Sequence, residues 1–111
     1  MIFQNSPFEI LDKAFKNLYP GKIYIAFIDV DMKDESGEKV YGCTQFNDGD
    51  TPIIFIDASL SIQNAVEIFA HELAHVAVGA NEGHGELWEK SFDEIQSEYN
   101  RIGEELCRTV K

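Results

Sequence analysis

The sequence predicts a single α+β domain: an N-terminal helix, a three-stranded, mainly antiparallel sheet, a second helix and a long C-terminal helix. Three observations carry this. The spacing of apolar residues changes along the chain from about 3.6 to two and back to about 3.6. Capping residues and turn-forming glycines fall where the spacing changes. The 111 residues, 44% of them hydrophobic, suit one packed core, since domains cluster around roughly 100–150 residues. No repeat, linker or low-complexity tract divides residues 1–111.

In Ser6-Pro7-Phe8-Glu9 a capping serine precedes a proline at the first helical position, with a glutamate three residues after the cap. Leu11, Phe15 and Leu18 follow at helical spacing, so a helix is expected over 7–18, ending near Pro20-Gly21. Residues 22–30 set Ile23, Ile25 and Phe27 against Tyr24, Ile28 and Val30, which predicts a central strand buried on both faces. Residues 31–38 are polar and contain Ser36-Gly37; they read as a turn, without the spacing of a calcium loop. Residues 39–46 and 51–57 flank Asn47-Asp48-Gly49-Asp50, a hairpin signal, and Pro52 sits at a strand end. From Ser61 the residues Ile62, Ala65, Val66, Phe69, Leu73 and Val76 line one helical face until Gly79. Trp88, Phe92, Ile95, Tyr99, Ile102 and Leu106 then mark a long terminal helix.

Composition narrows the partners. A formal net charge of −11 opposes a phosphate backbone and offers no basic stripe, which argues against nucleic acid. No apolar run approaches the roughly 18 residues of a membrane span, and residues 1–7 lack a basic region followed by an apolar one, so the expected location is cytoplasmic. Cys43 and Cys107 are too few and too far apart for a disulfide framework.

The chemistry lies in His71-Glu72-Leu73-Ala74-His75, an HExxH motif on the second helix. Residues four apart share a helix face, so two imidazoles can hold one Zn²⁺ with Glu72 beside them to act on water. Ile68, His71, Glu72, His75 and Gly79 form a line next to the apolar stripe, which turns the motif toward a cleft. Shuffling this composition would produce the motif in about one chain in a hundred, so chance is a poor account of it. A catalytic zinc site takes three protein ligands and leaves one position open. His84 is the remaining histidine. In an unbroken helix it would lie roughly 13 Å beyond His75, so the chain must turn back, and Gly79-Ala80-Asn81-Glu82-Gly83 supplies suitable residues. Glu82, Glu86 and Glu89 are rival third ligands.

Residues 71–88, HELAHVAVGANEGHGELW, resemble the metal-binding helix and following segment of the SprT-like and WLM group of minimal zincins. There HExxH is followed by a histidine in an H-G-x-x-[FW] context, here His84-Gly85-Glu86-Leu87-Trp88. The resemblance implies a minimal zincin-like metallopeptidase with one Zn²⁺ held by His71, His75 and His84. It also implies Glu72 as the catalytic base and Trp88 packed behind the third ligand. It covers the motif segment closely and the rest of the chain by element order. The gap from His75 to His84 is longer than in metzincins, and no Met-turn follows. The zinc ribbon and basic DNA-binding surface of many SprT-like proteins have no counterpart, so repair of DNA–protein crosslinks is not implied. In size the chain also resembles the minigluzincins, where a glutamate of the next helix is the third ligand; Glu86 and Glu89 stay open on that account.

With zinc bound, the pKa of its water falls toward about 7, and Glu72 accepts the proton and passes it to the leaving amine. A free sheet edge beside the helix would align an extended peptide, so the expected partner is a peptide or protein substrate. Two other readings stand beside this one. The first is a small-substrate amidase of deformylase type with Cys43 as third ligand, although Tyr41-Gly42-Cys43-Thr44-Gln45 does not match that family's cysteine motif. The second is a zinc-containing, non-catalytic binding or regulatory domain. Tyr99 is expected to pack in the core more than to stabilise an oxyanion.

Overall fold

The structure is a computed structural model that describes residues 6–109 except residue 48, so residues 1–5 and Asp48 of the expected hairpin turn lie outside the described residues. Helix α1 (Pro7–Leu18) begins as the sequence predicts. The Ser6 hydroxyl oxygen accepts the Glu9 amide at 3.2 Å, and Leu11, Ala14 and Phe15 are buried. The elements that follow are β1 (Ile25–Asp29), β2 (Gly42–Gln45), β3 (Ile53–Asp57), α2 (Ile62–Val78) and α3 (Glu86–Thr109). The architecture is α+β.

The sheet runs β1-β3-β2, with β1 parallel and β2 antiparallel to β3. It is therefore mixed, where a mainly antiparallel sheet was expected. β1 is also an edge and not the central strand, and all its residues are exposed. The central strand is β3, whose Ile54 and Ile56 are 0% and 2% exposed. The physical reason is the path of the chain: β3 inserts between the two strands that precede it. Apolar residues on both faces of 22–30 say that the strand wants neighbours, but not on which side they come.

Between β1 and β2 the Asp34 carboxylate accepts the Ser36 and Glu38 amides and the Ser36 hydroxyl, closing the expected turn. That segment is pinned to the end of β3 by Asp57, which is 1% exposed and accepts Lys39 Nζ at 2.8 Å as well as the Ser59 amide and hydroxyl.

Helix α2 packs against β2 and β3 on one side and α3 on the other. Being covered twice explains its small buried residues Ala65, Ala70 and Ala74 alongside Phe69, Leu73 and Val76. Ile62, placed on the apolar stripe by its spacing, is 66% exposed at the first turn. On α3 the expected stripe is observed, with Ile95 and Ile102 buried and Trp88, Phe92 and Tyr99 partly so. No described helix is long and apolar enough to cross a membrane.

Candidate metal centre

Ser61 caps α2 through the Asn64 amide, and the helix ends at Gly79 (φ 95°), whose N–H bonds the His75 carbonyl at 2.9 Å. This positive-φ stop, followed by a second positive φ at Gly83 (56°), reverses the chain as the spacing requires. His84 is thereby returned to the two histidines of the helix. Its Nε2 lies 3.0 Å from Nε2 of His75 and 3.0 Å from Nε2 of His71. Two nitrogens on one tetrahedral zinc, at a Zn–N distance of 2.0–2.1 Å, would be about 3.3 Å apart. The three side chains lie close enough to bind a metal ion. Burial, then His84, pushes the His71 pKa down, and burial with the two neighbouring imidazoles brings His75 to about 4. These two rings are therefore neutral at pH 7 and offer lone pairs.

Glu72 is 6% exposed, directly behind the cluster. Its Oε1 accepts the Thr44 hydroxyl at 2.7 Å, while Oε2 lies 4.0 Å from Nε2 of His71. Burial pushes its pKa up, and the Thr44 hydrogen bond and His84 act in the other direction. Gly42 makes room for it: a Cβ there would sit 2.4 Å from Cγ2 of Ile68 and 3.2 Å from Glu72 Oε2. Sequence reading passed over both Thr44 and Gly42. The available signal was a glycine inside a strand, which marks a close approach of neighbouring groups.

Trp88 closes the other side. Its indole N–H donates to the His71 carbonyl at 3.2 Å, and its ring centre lies 4.7, 5.6 and 4.8 Å from those of His71, His75 and His84. Phe92 stacks behind it at 5.1 Å. Glu82, Glu86 and Glu89 are exposed and outside the histidine group, and half-buried Cys43 is paired opposite Phe55 on β2. Tyr99 packs against the core and lines a cavity of about 490 Å³ between α1, α2 and α3, a site without the histidines. The cavity next to the chemistry, about 470 Å³, is lined by His71 together with Tyr41, Leu60, Asn64, Glu67, Ile68 and Phe92.

Fold and site together define an α+β domain whose second helix and following loop bring three imidazoles and one buried carboxylate to a single point. No known protein family, curated protein or solved structure matches the chain.

Proposed function

We propose that the chain is a zinc-dependent metallopeptidase of the zincin kind, with His71, His75 and His84 as ligands and Glu72 as the proton acceptor. The observation that carries this reading is the convergence of the three Nε2 atoms beside a buried carboxylate that is held from behind. A donor set of three imidazoles suits zinc. When bound, the ion supplies Lewis-acid polarisation of a carbonyl and makes water acidic near neutral pH.

The chain's own residues do the rest. Thr44 occupies Oε1 of Glu72, so Oε2, on the cluster side, takes the proton from water and returns it to the leaving amine. The Asp57 amide bonds the Tyr41 carbonyl, so in the β2–β3 ladder the odd-numbered residues of β2 face β3. The main-chain groups of Gly42 and Thr44 point off the edge beside Glu72, where an extended peptide could pair with them. The cavity beside His71 would take a side chain next to the scissile bond.

The test is to compare the zinc-loaded parent with zinc-loaded Glu72→Gln on unfolded protein and a peptide library. The variant should keep its metal and lose about 10²–10⁴ in rate. Equal cleavage by both would point to a contaminant. Cleavage by neither would favour the non-catalytic zinc-binding domain.

A further inference from the structure

The two edges of the sheet differ. The β2 edge runs beside Glu72, whereas β1 lies across β3 from it. In the parallel ladder the Ile25 amide bonds the Pro52 carbonyl at 3.0 Å and the Asp29 carbonyl accepts the Ala58 amide at 2.8 Å. Ile25, Phe27 and Asp29 thus face β3, and the amides and carbonyls of Ala26 and Ile28 point off the edge. Open edges are usually blunted by charge, proline or a bulge. Residues 23–28 carry neither charge nor proline. Instead Ile23, Ile25, Phe27, Ile28 and Val30 are 67%, 45%, 51%, 62% and 73% exposed, on both faces of the strand.

We propose that this edge is a twofold interface, at which β1 of a second copy pairs antiparallel with β1 and the two sheets become one. Charge and shape select a second copy as the occupant. The chain's net charge is −11, yet this strip is neutral, with Lys22 at one end and Asp29 and Asp31 at the other. An antiparallel copy sets the basic end against the acidic end; a parallel copy would set like against like. On the helix side a cavity of about 380 Å³, walled by Phe8, Tyr24, Ile28, Ile56 and Phe69 with Glu9 at its side, lies along the edge to receive apolar side chains of the opposing strand. A standard interface removes about 800 Å² from each partner, roughly a tenth of the 7551 Å² that this chain exposes. β1 itself spans five residues, about 17 Å, and the exposed apolar side chains on both its faces widen the contact beyond the paired backbones. Pairing would also place β1 inside a sheet, where a strand apolar on both faces belongs.

Sedimentation equilibrium of the full chain at micromolar concentration should give twice the 12.6 kDa chain mass. Hydrogen exchange should find the Ala26 and Ile28 amides protected. Ala26→Pro removes an outward amide that β3 does not use, and Ile28→Lys places a charge on the edge. Each should yield a monomer with unchanged circular dichroism and zinc content. Using both keeps the test decisive if one variant fails to fold. A parent that stays monomeric overturns the proposal, as does a dimer that survives both substitutions in folded protein. An open series of larger species would overturn the closed twofold.

Discussion

The Thr44 hydroxyl donates to Oε1 of Glu72 at 2.7 Å, so a strand residue holds the helix carboxylate that faces the histidines. This bond favours the ionised form and lowers the Glu72 pKa against the upward push of burial. In Thr44→Val that pKa rises. On the proposed role of Glu72 as base, activity would appear as pH rises through its pKa, and the acid limb of the kcat/KM profile should move to higher pH. The rate at the plateau should fall about 10-fold or more, as for other groups that orient a catalytic side chain, with zinc content unchanged. Thr44→Ser, which restores a hydroxyl, should recover most of both.

Gly42 tests the same contact through space. A methyl group there meets Ile68 and Glu72 Oε2, whereas one at Gly21 meets nothing within 4 Å. Gly42→Ala should lower stability by about 1–3 kcal/mol through overpacking and reduce turnover by shifting Glu72. Gly21→Ala should leave both unchanged. Thermal melts and initial rates check the pair, and equal behaviour would remove Gly42 from the site.

What the sequence discloses follows the range of the interactions involved. The caps at Ser6 and Ser61, the Gly79 stop and the His71–His75 spacing are local, and each is found where the chain predicts it. The return of His84 was legible because one helix cannot carry all three histidines to one point, and the glycines mark the turn. The strand order was not legible, since Ile25 and Phe27 look the same at an edge as in the middle of a sheet until β3 takes its place. Thr44 and Gly42 were missed because their partner is 30 or so residues away, and neither residue type signals such a contact by itself.

Lys39 and Asp57 offer a stability test away from the histidines. Lys39, then Ser59, hold the Asp57 carboxyl well below the usual carboxylate range. A depressed folded-state pKa stabilises above the unfolded value near 3.9 and is lost as pH falls below it. Lys39→Met leaves the Asp57 carboxylate short of its cation and should lower stability at pH 7. The gap between parent and variant should narrow below about pH 4, as Asp57 of the unfolded chain takes up its proton while the folded one still resists it. Urea unfolding at pH 7 and pH 3 measures both; a gap that stays constant would show that the pair contributes nothing through charge.

The proposed third ligand can be tested with the chain's own fluorophore. Trp88 is the one tryptophan, and its ring centre is 4.7–5.6 Å from the three imidazoles. Its emission should therefore change as zinc is added to metal-free protein, and competition with a chelator of known affinity converts that change into a dissociation constant. His84→Ala removes a nitrogen 3.0 Å from both partners. Loss of a direct ligand should weaken binding by at least the 10–100-fold typical of groups one shell further out. Glu86→Ala, at an exposed residue outside the histidine group, should bind zinc like the parent. Protons compete for the same imidazoles, so the parent's affinity should fall as pH is lowered. The opposite pattern, with His84→Ala unchanged and Glu86→Ala impaired, would make the third ligand a glutamate and leave the close approach of His84 without a role in metal binding.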